Sequence, residues 1–245
     1  MRRALLALTL LLAGCVSAHD RARALARTEL GIAYYKEGNT ESALATLRDA
    51  TDLDPAAWKA WNALAVAYIA KGEHGLAEKA FARALRAAPE EGEIHVTRGA
   101  YYVRTGRLSE AEADFRAALA DLDYRNPAVA LSNLSYALVL AGKPAEGVEV
   151  AREAVRRAPK LCEARYNLGL ALEARKDDLS AIEAYTEQTR VCPEESAGAR
   201  LRLGCIQVRI GMVDEGRAML DALAAELPMT RMADEARACR TRTTP

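Results

Sequence analysis

The chain has 245 residues, with 34 basic and 34 acidic side chains and a formal net charge of zero. The basic residues are scattered along the chain, which leaves no electrostatic basis for nucleic-acid binding. Half of the composition is apolar, alanine dominates and only 15 residues are glycine, so the chain is expected to be helical throughout, as one elongated or two globular domains.

The first element is a short leader. Arg2 and Arg3 precede an apolar stretch from Ala4 to Leu12 that is interrupted only by Thr9. That stretch is too short for a membrane-spanning helix, which needs about 20 apolar residues. It closes on Leu12-Ala13-Gly14-Cys15, which resembles the lipobox of bacterial lipoproteins, where the cysteine becomes the acylated first residue. The alternative is an ordinary secretory signal cut after Val16-Ser17-Ala18. The lipobox reading assigns residues 1–14 to a signal peptide, Cys15 to lipidation and residues 15–23 to a lipidated tether. Several acyl chains on one cysteine suffice for stable anchoring. Val16 rather than aspartate after the cysteine favours, by analogy, the periplasmic face of the outer membrane. Loss of Arg2 and Arg3 leaves 32 basic against 34 acidic side chains, still nearly neutral.

Residues 24–230 carry an internal repeat. Trp61, Leu64, Ala65, Tyr68, Gly72, Ala77, Phe81, Ala84 and Pro89 fill every signature position of a tetratricopeptide repeat. The preceding unit repeats the pattern 34 residues earlier, from Leu30 and Gly31 to Pro55. The third follows in register, with Arg98 in place of the usual leucine and Asp123 in place of the proline. Two added residues shift the frame before the fourth unit, Leu134 to Pro159. The fifth runs through Leu168, Gly169 and Tyr185 to Pro193, and after one more insertion the sixth runs through Leu203 and Gly204 to Pro228. The expected fold is therefore all-α, a tetratricopeptide-repeat solenoid of six helix-turn-helix units with a short capping helix in residues 231–245. Met232, Ala236 and Cys239 form the apolar stripe of that helix.

Packing accounts for these signature residues. Small side chains let paired helices approach, a tyrosine or phenylalanine fills the adjoining space, and recurrent glycines such as Gly38 and Gly72 suit left-handed helix ends. None is a catalytic candidate. The three histidines, His19 in the tether, His74 in a predicted turn and His95 at the start of the third unit, form no catalytic or metal-binding motif. The acidic pairs Asp177-Asp178 and Glu194-Glu195 fit solvated turns or helix starts. No enzymatic activity, no cofactor and no metal are expected.

Four further cysteines lie in the C-terminal half, and an oxidising compartment permits three connectivities. Cys162 opens the first helix of the fifth unit and Cys192 follows its second, so antiparallel pairing brings them together. Cys205 and Cys239 are 34 residues apart; strict register would separate them by about 8–10 Å, too wide for a disulfide. That second bridge requires the cap to leave register. Small buried hydrophobes are the alternative role for all four.

Function is then sought on the inner face lined by the first helices. The inner positions of the early units give a candidate partner-binding groove of Ile32, Tyr35, Lys36, Asn62, Val66, Ile69, Val96, Ala100 and Val103, to which the fourth unit adds Tyr136. The groove is apolar and is expected to be edged by Lys36, Lys59 and Arg104. It lacks the lysine and asparagine constellation of chaperone-tail binders. Packing between neighbouring first helices is the competing role for these side chains.

A lipobox, a brief tether, six repeats and the expansion near Tyr124-Arg125-Asn126-Pro127 together resemble the type IV pilus pilotin lipoproteins of the PilF/PilW/Tgl group. The segment from Ala26 to Ala43 is similar to that family's first repeat. The resemblance implies a monomeric, lipid-anchored protein that binds outer-membrane secretin subunits and promotes their insertion and multimerisation for type IV pili and twitching motility. The missing proline of the third unit and the four C-terminal cysteines depart from many relatives and point to a Tgl-like branch. A scaffold of the β-barrel assembly machinery and an adaptor for peptidoglycan enzymes are the alternatives.

Overall fold

The structure is a computed structural model that describes residues 16–241. The described residues hold thirteen α-helices, one 3-10 turn and no strand. Ten helices form five pairs, α1 (Ala18–Lys36) with α2 (Thr40–Leu53), α3 (Trp58–Ala70) with α4 (His74–Ala87), α7 (Pro127–Leu140) with α8 (Pro144–Arg157), α9 (Cys162–Ala174) with α10 (Asp178–Val191), and α11 (Ala197–Arg209) with α12 (Val213–Glu226), while α5 (Gly92–Arg104) meets α6 (Leu108–Ala120) where Arg98 bonds Asp114 and Gly99 lies against Phe115. A last helix, α13 (Arg231–Arg240), packs on α11 and α12. The chain divides into two compact units, one ending at Thr97 and the other beginning at Arg98, with the boundary inside α5.

The expected repeat chemistry appears residue by residue. Gly38, Gly72, Gly106, Gly142 and Gly211 have φ between 74° and 94° and end the first helix of their pairs. The fifth pair has Lys176 at this place, with φ 65°. Phe81, Phe115 and Tyr185 are fully buried between their helices. A Cβ on Gly216 would come within 2.8 Å of the Gly204 carbonyl oxygen, so α11 and α12 can cross closely only with glycine there. Arg98 substitutes for leucine by forming a buried ion pair with Asp114, Nε to Oδ2 and Nη2 to Oδ1, both at 2.7 Å.

The connections follow the sequence insertions. Four residues separate α2 from α3, α4 from α5 and α8 from α9, whereas residues 121–126 separate α6 from α7 where Asp123 stands in place of proline. Before α11 the chain makes the 3-10 turn Pro193–Glu195, which contains Glu194 and Glu195. Asp177 caps α10, its Oδ1 accepting from the Ser180 N–H at 3.3 Å. His95 performs the task of Trp61 one repeat earlier: Trp61 Nε1 donates to the Pro55 carbonyl at 3.0 Å, and His95 Nε2 lies 2.9 Å from the Pro89 carbonyl.

Within residues 15–23, α1 begins at Ala18, because the Ser17 hydroxyl accepts from the Asp20 N–H at 3.0 Å and caps the helix. His19 is thus in a helical first turn, and His74 opens α4 rather than lying in a turn. The cap leaves strict register, as the second bridge requires. Cys205 and Cys239 form a disulfide with a Cα separation of 5.3 Å instead of one helix-packing distance, while Ala233 and Ala236 of α13 are buried. Cys162 and Cys192 form the other disulfide, with a Cα separation of 5.9 Å. The signal peptide, Cys15 and residues 242–245 of the tail lie outside the described residues. None of the described helices is long and apolar enough to cross a membrane.

Candidate functional site

The first unit holds a cavity of about 410 Å³. Helical spacing puts Leu25, Thr28, Glu29, Ile32 and Tyr35 of α1 on one face, and Lys59, Asn62, Ala63 and Val66 of α3 on another. Glu93 and Thr97 of α5 complete the wall, and the fully buried Leu47 of α2 reaches it from behind. The Thr28 hydroxyl donates to the Ala24 carbonyl at 2.7 Å, which satisfies it locally and leaves an apolar wall. Leu25 and Tyr35 remain exposed, at 53% and 36%, so this surface is only partly used for packing between helices.

The structure brings together four of the ten groove residues: Ile32, Tyr35, Asn62 and Val66. Lys36 is exposed and Ile69 and Val96 are half-buried, and none of the three lines the cavity. Ala100 and Val103 are half-buried on the part of α5 that belongs to the second unit. Of Lys36, Lys59 and Arg104, only Lys59 lines this cavity, and it is accompanied by Glu29 and Glu93. The Lys59 ammonium lies 5.3 Å from the centre of the Trp58 ring.

Tyr136 belongs to another cavity, of about 860 Å³, within the second unit. Val139 and Leu140 of α7, Tyr166, Asn167 and Leu170 of α9, and Arg202 and Arg209 of α11 line it with Tyr136. Glu173 is the electrostatic centre of this wall. Its carboxylate lies 3.6 Å from Arg209 and 3.8 Å from Arg202, and accepts from the Tyr185 hydroxyl at 3.2 Å. Burial, reinforced by the Glu173 charge, raises the Tyr185 pKa far above the ordinary tyrosine range. Burial works against the Arg202 cation, but the Glu173 carboxylate 3.8 Å away favours it, and its pKa is raised. Arg209 also pairs with Asp178 at 2.6 Å. Carrying the inner-face positions of the early repeats through the fifth and sixth would have found this site from the sequence.

The first cavity joins an apolar wall to a few polar groups, and the second adds the charged side chains of Glu173, Arg202 and Arg209. Among the described residues no three metal-ligating side chains come together.

Comparison with known proteins agrees with this architecture. The tetratricopeptide-repeat family model matches residues 28–92, 68–128, 96–161 and 133–190. Type IV pilus assembly protein PilF of Pseudomonas aeruginosa is 29% identical over 155 residues, 59% of this chain and 62% of PilF. The chain thus aligns with less than two thirds of that curated relative. The crystal structure of PilW, described as a widely conserved type IV pilus biogenesis factor, is similar with a TM-score of 0.80 and 22% identity, covering 86% of this chain and 96% of PilW. The structure of Pseudomonas aeruginosa PilF gives a TM-score of 0.75 at 23% identity, covering 90% of this chain and 99% of PilF. With repeat matches spanning residues 28–190, the chain belongs to the tetratricopeptide-repeat family.

Proposed function

We propose that this chain is a pilotin of the type IV pilus: a lipoprotein of the outer membrane that binds secretin subunits and promotes their insertion and multimerisation. The similarity to PilF over 155 residues carries the reading, in company with the partly exposed apolar cavity of the first unit. The protein acts by binding and chaperoning, without bond chemistry. Ile32, Tyr35 and Val66 receive an apolar segment of a secretin subunit and shield it before the pore is complete. Cys15, acylated after removal of residues 1–14, holds the protein as a monomer on the periplasmic face.

Affinity capture of the tagged full chain from solubilised cell envelopes tests this reading. Secretin is the expected partner. Recovery of β-barrel assembly components or cell-wall enzymes without secretin would replace it with a scaffold or adaptor function.

A further inference from the structure

We infer that α1 lies along a phospholipid surface, with Arg23, Arg27 and Leu30 turned to an anionic headgroup layer. The inference rests on the reading that Cys15 is acylated. It adds which face of the protein meets the membrane.

Among the described residues no helix precedes α1, so one of its sides lacks the cover that later first helices receive. Repeat-equivalent leucines measure the difference. Leu64 of α3, which packs on α2, is 2% exposed and Leu134 of α7 is 1% exposed, whereas Leu30 is 41% exposed. Arg23, Arg27 and Leu30 follow one another at the spacing of a single helix face, and all three are exposed. Leu25 and Ile32 of the first-unit cavity stand two residues beyond Arg23 and Leu30, about 200° round the helix. A membrane against the uncovered side therefore leaves the cavity wall free. The helix is also long, with 19 residues against 13 or 14 in the other first helices. Its additional turns, residues 18–23, are exposed apart from the half-buried Asp20. A helical overhang that packs on nothing is marginal in water, and a surface beside it supplies the missing support.

The short connection to the anchor fixes the distance. Only Val16 and Ser17 separate Cys15 from α1, so Ala18 stands at most about 11 Å from the acylated residue. A headgroup layer is about 5–8 Å deep, and charges act over a further ~8 Å. The first turn of α1 cannot leave that zone. An upright helix would carry Leu30, twelve residues on, about 18 Å farther out, and its uncovered side would stay in water. Lying along the surface instead brings Arg23, Arg27 and Leu30 to the lipid together. Charge agrees, since residues 16–27 hold three arginines and one carboxylate, Asp20. Arg23 lies 3.4 Å from Asp20 and Arg27 3.8 Å from Asp49, both in solvent. Such exposed pairs are weak and yield to lipid phosphate, which a guanidinium meets with two hydrogen bonds.

The test uses the mature protein purified from cell envelopes and reconstituted in phosphatidylglycerol or phosphatidylcholine vesicles, with amide exchange followed by mass spectrometry. Peptides covering residues 18–30 are expected to exchange roughly five- to thirtyfold more slowly on phosphatidylglycerol, the effect of two arginines at an anionic surface. Those of α3 should exchange equally on both lipids. Arg23→Gln, Arg27→Gln should erase the difference. The comparison of lipids on the unaltered protein stands whatever the variant does. Equal exchange on both lipids, protection confined to the first turn, or a difference that survives in the variant would overturn the inference. The mass of the N-terminal peptide separates this claim from the anchor. Acyl chains on Cys15 without the exchange difference leave the anchor standing and remove the inference; Cys15 without acyl chains overturns both.

Discussion

Arg98 grips Asp114 through two parallel hydrogen bonds of 2.7 Å at a repeat position where Leu30, Leu64, Leu134, Leu168 and Leu203 are apolar. The Asp114 side chain is 5% exposed and that of Arg98 25%. Bonding to Asp114 outweighs the desolvation of the guanidinium and raises its pKa above the ordinary arginine value.

Breaking this pair from one side takes two hydrogen bonds from the charge that remains. Arg98→Leu or Asp114→Ala alone should destabilise the second unit by about 3–5 kcal/mol. The double variant Arg98→Leu, Asp114→Leu should recover most of that loss, because two apolar side chains restore the contact made in the other repeats. Urea unfolding of the four proteins checks this as a double-mutant cycle. Additive losses in the double variant would show that the pair is not the unit of stability.

Lys176 adopts φ 65° where five other repeats have glycine. A side chain in the left-handed region costs about 1–2 kcal/mol relative to glycine. Lys176→Gly should therefore raise stability by roughly 1 kcal/mol, less the greater entropy that glycine gives the unfolded chain. Thermal unfolding at matched buffer composition is the measurement, and an unchanged or lower midpoint would contradict it.

The two disulfides close loops with sequence separations of 30 and 34 residues. Each should contribute roughly 3–4 kcal/mol by restricting the unfolded chain. Non-reducing peptide mapping should recover Cys162 with Cys192 and Cys205 with Cys239. Cys239→Ser should selectively increase amide exchange in α13, since an isolated helix of ten residues is marginal. Four free thiols in protein from its native compartment would refute both bridges.

Cys15 is the expected point of attachment to lipid. Cys15→Ala should abolish acylation and release unprocessed or soluble protein, with the helical content of the repeats unchanged. Equal outer-membrane recovery with normal lipid labelling would refute the anchor.

The repeat was legible because its constraints are local and chemical. Gly72 marks a helix end that only a left-handed residue makes easily, and Phe81 fills a space that recurs 34 residues later at Phe115. The onset of α1 was also encoded, in Ser17 and Asp20, but repeat register alone places the boundary too late. The cap disulfide was less legible, because register describes stacked pairs and α13 has no second helix to hold it there. At the site, periodicity identified Ile32, Tyr35, Asn62 and Val66 as inner-face residues. It did not identify Glu29 and Glu93 as lining residues, because that depends on how α1 and α5 stand against α3.

If the first-unit cavity receives secretin before the pore forms, the yield of heat-resistant secretin multimers in cells depends on the apolar wall of that cavity. Ile32→Glu, Val66→Glu places two charges in the cavity while the core residues Leu47, Leu64 and Tyr68 are kept. Burying a partner's apolar side chain against an unpaired carboxylate is strongly unfavourable. With normal helical content and normal membrane localisation of the variant, multimers should fall by about tenfold or more, monomeric secretin should accumulate and pili should be lost. Multimers at the level of the unaltered protein would show that secretin does not bind in this cavity.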